Sequence, residues 1–531
     1  MELTICFLVI IWIIKLIIIN IKKTGIVNHK LARRPSSLFP LQSSLVNRFG
    51  FIKTPLNIPI ILFVGLILFQ LAPLPPGVLK VISPNTYQLY KTTSLGLCSA
   101  KHTSPGPDLF SAEHTSPGSI PQSLNSSIPQ SSIPQSLNSS IPQSSIPTWH
   151  PLSTYPHATK TELYKILAYI GIFFLIINYS PSTRSSQPVT REHPRLSGGH
   201  PRLSGGQGLR IKTFITRLVI VMIVVGCFES IYGLLEYLSG HQHIFFRKKT
   251  LNLGFVTGTY INLNHFAGYM AIVICVSFGY LTYKLSKLSN SNVSLRVRAT
   301  GWREKLSRII NLIGTKAGLL SFLILIMSST LILSGSRMGI CSFITAIILM
   351  SIMISKKVSI KKMLLIFLPV CLMAVWIGLN PVIKRFSRIS EGMEKEGRRT
   401  LIWNDTYNLV KDFPVFGTGL GTYEYAFPKY KTIRKQLLYD HAHNDYLELI
   451  TDTGFTGFII VIAGAAYYLF IVIRMWFQRR NSFVRGITVG CLGGIAYILL
   501  HSLTDFNLQI PANALHITII TGIMYKTVTQ L

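Results

Sequence analysis

Apolar residues along this chain fall in long unbroken runs separated by basic stretches. Eleven runs come close to the ~20 residues that carry a helix across a bilayer core: 3–21, 55–73, 163–179, 215–238, 263–283, 317–334, 338–355, 363–379, 454–476, 486–503 and 509–526. The pattern predicts an all-α polytopic integral membrane protein with about eleven transmembrane helices. Lys22 and Lys23 follow the first run with no small-residue cleavage site, so that run reads as an anchor, although Lys15 lies inside it.

Composition removes the soluble alternatives. Hydrophobic residues make up 49% of the 531 and charged residues 13%, about half the ~25% usual in soluble domains. Six of the seven cysteines lie inside apolar runs and only Cys98 in a loop, which gives neither a disulfide framework nor a clustered zinc site. The balance of 52 Lys+Arg against 19 Asp+Glu would suit nucleic acid in a soluble protein. Here the basic residues sit between spans, so the expected partner is the lipid bilayer and no nucleic acid.

Loop charges predict the orientation. Segment 22–54 carries seven basic residues and no acid, 180–214 six to one, 284–316 eight to one, 356–362 four to none and 474–485 four to none. These are alternate loops, so all can be cytoplasmic together. The opposite set, 74–162, 239–262 and 380–453, holds 18 basic and 13 acidic residues. The C-terminus is then inside and the N-terminus outside. Ten of the nineteen acids lie in outside loop 380–453, with His441 and His443. Ordinary connections are only a few residues long, so this mixed-charge loop is the place to expect chemistry.

Tandem duplications mark inserts. Residues 120–132 recur unchanged at 133–145, His102–Gly106 returns at His114–Gly118, and HPRLSGG at 193–199 repeats at 200–206. Such Ser/Pro/Gly/Gln-rich sequence cannot bury a core, and disorder is expected. The expected organisation is N-terminal helices and a basic loop over 1–90, a low-complexity insert at 91–147, and helices over 148–379 with a short repeat insert at 184–210. The outside loop at 380–453 and C-terminal helices at 454–531 complete it.

Several polar positions could carry chemistry. Arg337 follows Ser334-Gly335-Ser336 in a two- or three-residue outside turn between spans. A charge at that depth needs a partner or an anion, so it either snorkels to headgroups or clamps an anionic substrate, for which a planar guanidinium suits phosphate. His441 and His443 invite a metal reading. On a single helix over 441–453, His441, Asp445, Glu448 and Asp452 would form one polar stripe with His443 opposite, and the two histidines could not share an ion. Alternatively Asn444 caps a helix starting at Asp445, and His443 precedes an anion-favouring N-terminus. Gly417-x-Gly419-x-Gly421 is either a phosphate nest or a glycine turn re-entering toward the membrane.

At these residues the chain resembles the O-antigen ligase and polymerase superfamily. His443-Asn444, nine residues, Gly454, two residues and Gly457 fit the family's last-loop pattern without a gap. Gly397-Arg398-Arg399-x-x-x-Trp403, the Pro414 to Gly421 turn, the Ser334 to Gly339 turn, and Gly258-Thr-x-x-Asn262-x-Asn264-His265-x-Ala267 also look like family signatures. Two features depart from the pattern: Leu263 stands where many relatives place a basic residue, and eleven spans are counted where twelve are usual. The related domain is expected at about 320–470.

The resemblance implies transfer of a glycan from undecaprenyl diphosphate to an acceptor hydroxyl, on lipid A-core or another glycan, at the periplasmic face of the bacterial inner membrane, with no metal or other cofactor. It implies His443 as the catalytic residue and Arg337, Arg399 and Arg398 as diphosphate ligands. Asn444, Glu448, Gly454, Gly457, Asn262, Asn264, Gly417 and Gly419 would shape the site. Ligase, polymerase and protein oligosaccharyltransferase are equally compatible. A lipid-linked glycan transporter is the rival outside the enzymes, but Glu229, Glu236 and Arg474 lie toward span ends rather than at mid-span.

Overall fold

A computed structural model describes residues 52–100, 149–179, 205–291, 301, 315–354, 389–432 and 438–531. The expected spans 3–21 and 363–379, and the tandem repeats up to residue 204, lie outside the described residues. The described chain is mostly helical, as the apolar runs predict.

Two compact units are present. The smaller covers Ala72–Leu152. It contains α2 (Pro76–Ile82), α3 (Pro84–Ala100) and an antiparallel pairing of β1 (Pro73–Leu74) with β2 (His150–Pro151). Pro76 and Pro84 each open a helix at the position where a missing N–H costs nothing. Helix α3 runs ten residues into the segment expected to be insert.

The larger unit holds α1 (Asn57–Leu71), α4 (Pro156–Asn178), α5 (Gly205–Ser239), α6 (Leu263–Ser291), α7 (Lys316–Leu333), α8 (Arg337–Ile354), α9 (Ile389–Asp412), α10 (Tyr423–Ala426), α11 (Asp445–Gln478), α12 (Ser482–His501) and α13 (Pro511–Gln530). Among the described residues seven helices are long and apolar enough to cross a membrane: α4, α5, α6, α7, α8, α11 and α12. Helix α5 begins at Gly205, inside the second HPRLSGG copy, because its first turns bury Ile211 and Ile215 ahead of the apolar run.

Helices α6 and α12 lie at the centre of the core. In lipid, where tails are as apolar as leucine, helices associate through close packing of small residues. A Cβ on Gly279 of α6 would sit 2.3 Å from the carbonyl oxygen of Gly486 and 2.7 Å from Cα of Gly490, both on α12. The backbones therefore touch directly. Helix α9 and the segment between it and α11 pack a separate cluster from Ile402, Leu409, Phe413, Tyr423, Phe427 and Ala442.

Helix α11 is broken at Gly454, whose φ of 64° and ψ of −176° are non-helical. A break frees carbonyls before it and amides after it, and buried backbone groups must find partners. The segment after α9 supplies them. Phe455 and Thr456 N–H donate to the carbonyls of Pro414 (2.8 Å) and Val415 (3.2 Å), while the carbonyls of Thr451 and Asp452 accept from Thr418 N–H (2.9 Å) and Gly419 N–H (3.0 Å). The Gln70 amide adds a third tie, donating to the carbonyls of Phe416 (2.7 Å) and Asp452 (2.9 Å). The last nine residues of the expected loop 380–453 are thus the first turns of α11, and the break falls at the loop's expected end.

A Cβ on Gly454 would lie 2.2 Å from the Val415 carbonyl oxygen, at a φ that disfavours side chains. Gly454→Ala should lower the thermal unfolding midpoint and folded yield in detergent. Gly65→Ala, where a Cβ meets nothing within 4 Å on helix α1, should leave both unchanged or raise them slightly.

Candidate functional site

The cap alternative at the start of α11 is the one that forms. The Asn444 side chain accepts from Tyr446 N–H (3.0 Å) and Leu447 N–H (3.1 Å), so the helix begins at Asp445. The single helix over 441–453 is not formed, because this cap satisfies the first orphan amides. His443, at φ 52°, turns the chain into the cap.

The residue before it is gripped from both sides. Ala442 N–H donates to Glu448 Oε2 (2.9 Å) and its carbonyl accepts from the Trp403 indole (2.9 Å). Glu448 Oε1 also meets His441 Nδ1 at 2.7 Å. Glu448 therefore positions the segment that presents His443.

Opposite His443 lies Asp505, in the connection between α12 and α13. Its side chain is only 1% exposed, and its Oδ1 stands 3.7 Å from His443 Nδ1 and 3.6 Å from His265 Nε2. Burial alone would raise this carboxyl, but His265, His443 and His501 outweigh it and hold the group well below the usual carboxylate range. The Phe506 ring packs on three imidazoles, with centroids 4.2 Å from His441, 4.5 Å from His265 and 5.0 Å from His443. Asp445 clamps this connection. Its N–H donates to the Ser502 carbonyl (3.0 Å), and its Oδ2 accepts from Ser502 Oγ (2.5 Å) and Leu508 N–H (3.1 Å). Arg399 donates to the Thr504 carbonyl at 2.9 Å.

The remaining expected residues join through α6. Asn262 Oδ1 accepts from Asn264 N–H (2.9 Å), and Asn264 Oδ1 accepts from Ser336 Oγ (2.8 Å). This ties the start of α6 to the turn that sets half-buried Arg337 at the start of α8. Asn513 donates to both the His265 carbonyl and Asn507 Oδ1, each at 3.1 Å. A contact path thus runs from the Arg337 turn through Asn264 and His265 to Asp505 and His443. The Arg398 side chain lies outside the described residues.

The glycine turn is structural, which corrects the phosphate-nest alternative. Gly417, Gly419 and Gly421 all have positive φ (70°, 114° and 73°), but their amides are spent inside the protein. Gly417 N–H donates to the Phe413 carbonyl, Gly419 N–H to the Asp452 carbonyl and Gly421 N–H to Asp452 Oδ2. Leu420 N–H goes to Gln70 Oε1. Gly417 and Gly419 lie in the turn that docks against the broken α11. Gly457 lets Leu66 of α1 approach, since a Cβ there would lie 3.0 Å from the leucine's Cδ2.

The two histidines meet different carboxylates, His441 with Glu448 and His443 with Asp505. Among the described residues no group of three or more His, Cys, Asp or Glu side chains is arranged to hold a metal ion. Sequence reasoning missed Asp505 and Phe506 and gave His265 no role of its own. One signal was available: Asp505 is the only acidic residue after Asp452, and an acid isolated between spans points to function.

Burial would lower His441, but the hydrogen bond and charge of Glu448 win and raise it above the ordinary imidazole value. The imidazolium charge that His441 brings to the pair is present below that elevated value and lost as pH rises through it. Titration of histidine-labelled protein by NMR should show this resonance changing above the free-imidazole midpoint, and Glu448→Gln should move it down. A midpoint unchanged by Glu448→Gln would contradict the pairing.

Residues 322–462 match the family model for O-antigen ligase. The match contains Arg337, Arg399, His443 and Glu448, while His265 and Asp505 lie outside it. No curated protein matches this chain at a significant level.

Proposed function

We propose that this multi-pass membrane protein is a glycosyltransferase that moves a glycan from undecaprenyl diphosphate to an acceptor hydroxyl on lipid A-core or another glycan, a reading supported by the similarity of residues 322–462 to the O-antigen ligase family model. The reaction takes place at the periplasmic face of the inner membrane. The observation that carries the reading is His443, held at the start of α11 and facing the buried Asp505 carboxylate 3.7 Å away.

The chemistry suits those groups. The acceptor oxygen attacks the anomeric carbon of the donor sugar and forms the new glycosidic bond, while the bond from that carbon to the diphosphate oxygen breaks. The acceptor proton goes to His443, and Asp505 stabilises the imidazolium that results. The diphosphate leaves with the bonding electrons. Already a good leaving group, it needs cationic stabilisation more than a strong acid, which falls to Arg337 at the membrane face and to Arg399 and Arg398 on α9. Asn262 and Asn264 support the Arg337 turn, and Asn444 and Glu448 hold His443. No step calls for a metal.

His443→Ala and Arg337→Ala should both abolish transfer but fail differently. Arg337 would hold the diphosphate in the ground state and the transition state alike, so its loss should weaken donor binding as well as turnover. Loss of His443 should lower turnover by ~10²–10⁴-fold, the usual contribution of a general base, with donor binding largely kept. The measurements are donor-lipid binding and turnover on purified variants in nanodiscs. Full activity in His443→Ala would overturn the assignment, and chelator inhibition reversed by a divalent ion would show that a metal takes part.

A further inference from the structure

Helix α5 is followed by a hairpin that none of the transfer chemistry uses. β3 (His243–Ile244) and β4 (Arg247–Lys248) pair antiparallel, His243 opposite Lys248 and Ile244 opposite Arg247, so the turn consists of Phe245 and Phe246. Its base is firmly fixed. Lys249 Nζ forms an ion pair with Glu236 of α5 at 2.7 Å, both side chains almost fully buried. Lys249 N–H donates to the Gln242 carbonyl (2.9 Å), and Gln242 Oε1 accepts from Gly254 N–H (3.1 Å).

The tip folds back along α5. Phe245 N–H donates to the Tyr232 hydroxyl oxygen at 2.7 Å, and the two rings lie 5.3 Å apart. Tyr232 precedes the last residue of α5, Ser239, by seven positions, roughly 10 Å of helix rise. The tip therefore reaches below the end of the span, toward its middle. Tyr232 in turn stacks 6.0 Å from Phe228, and Phe228 belongs to an outward apolar face with Val221, Val224, Ile231 and Leu235, all exposed. On a membrane-spanning helix that face meets lipid.

The tip's own residues fit the same surroundings. Two-residue hairpin turns favour Gly, Asn or Asp because they need positive φ. Here Phe245 takes φ 52°, and Phe246 is 100% exposed. Arg247 and Lys248 follow at once, both exposed. Two phenylalanines at a depth of lipid contact, flanked by two cations, match an apolar layer bounded by anionic phosphates.

We infer that the 243–248 hairpin is a membrane-surface anchor, with Phe245 and Phe246 seated among the acyl chains near the interface and Arg247 and Lys248 on the headgroup phosphates of anionic phospholipids. This surface is independent of the glycan-transfer reading. It fixes the segment leading to Asn262 and Asn264 relative to the bilayer.

The test is the fluorescence of full-length Phe246→Trp, minus that of the unsubstituted protein, in nanodiscs containing phosphatidylglycerol or phosphatidylcholine alone. Residue 246 makes no buried contact, so the substitution leaves folding intact. The introduced indole should emit at blue-shifted wavelength and lose intensity when the acyl chains are brominated. Both effects should be larger with phosphatidylglycerol, and adding Arg247→Gln and Lys248→Gln should remove that lipid preference. Emission typical of water, quenched by aqueous iodide and not by brominated lipid, would overturn the anchor. Cross-linking from position 246 to a second copy in nanodiscs would also overturn it and assign the face to a dimer.

Discussion

A carboxylate buried at the end of a membrane span is costly unless cations or donors surround it, and Asp505 imposes that condition on this molecule. Its compensation comes from His265 at the start of α6 and His443 before α11, separated by 178 positions in the chain. Both distances are longer than a short hydrogen bond, so the contact tolerates small shifts of the imidazoles. Asp445 holds the Asp505 connection through Ser502 and Leu508, and Arg399 holds it through Thr504. The elements that carry His443, His265 and Arg399 are thus placed by one buried charge and its neighbours.

The broken helix α11 supplies the second constraint. A continuous helix through Gly454 would need no partner for its backbone, and the Pro414 to Gly421 turn would then have nothing to bind. Because the break exposes backbone groups on both sides, that turn and Gln70 must close around it. The first turns of α11, with Asn444, Asp445 and Glu448, are thereby held apart from its membrane-spanning part. Glu448 can then organise His441 and Ala442 while the rest of the helix stays in the span.

Much of this was legible in the sequence, for a clear physical reason. Spans are read from runs of apolar residues, and the centres of the nine expected runs that fall among the described residues are helical. The start of α11 was legible as an alternative, since Asn444 ahead of Asp445 is a capping pattern. The glycine turn was also visible, but whether its amides face a ligand or a broken helix depends on Asp452 and Gln70, which are distant in sequence. Asp505 escaped notice because its partners lie on separate elements and no local pattern marks them. The ends of α3 and α5 extend into low-complexity sequence because α5 buries Ile211 and Ile215 early, while nothing in the structure explains the extension of α3.

The central claim is that Asp505 makes His443 competent for transfer, and turnover by purified Asp505→Asn with an undecaprenyl-diphosphate glycan tests it most directly. Asparagine keeps the shape and removes the charge. The account predicts turnover lowered toward the ~10²–10⁴-fold loss of removing the base itself, with donor-lipid affinity close to that of the unsubstituted protein. Asp505→Asn that folds, binds donor and turns over at the unsubstituted rate would contradict it.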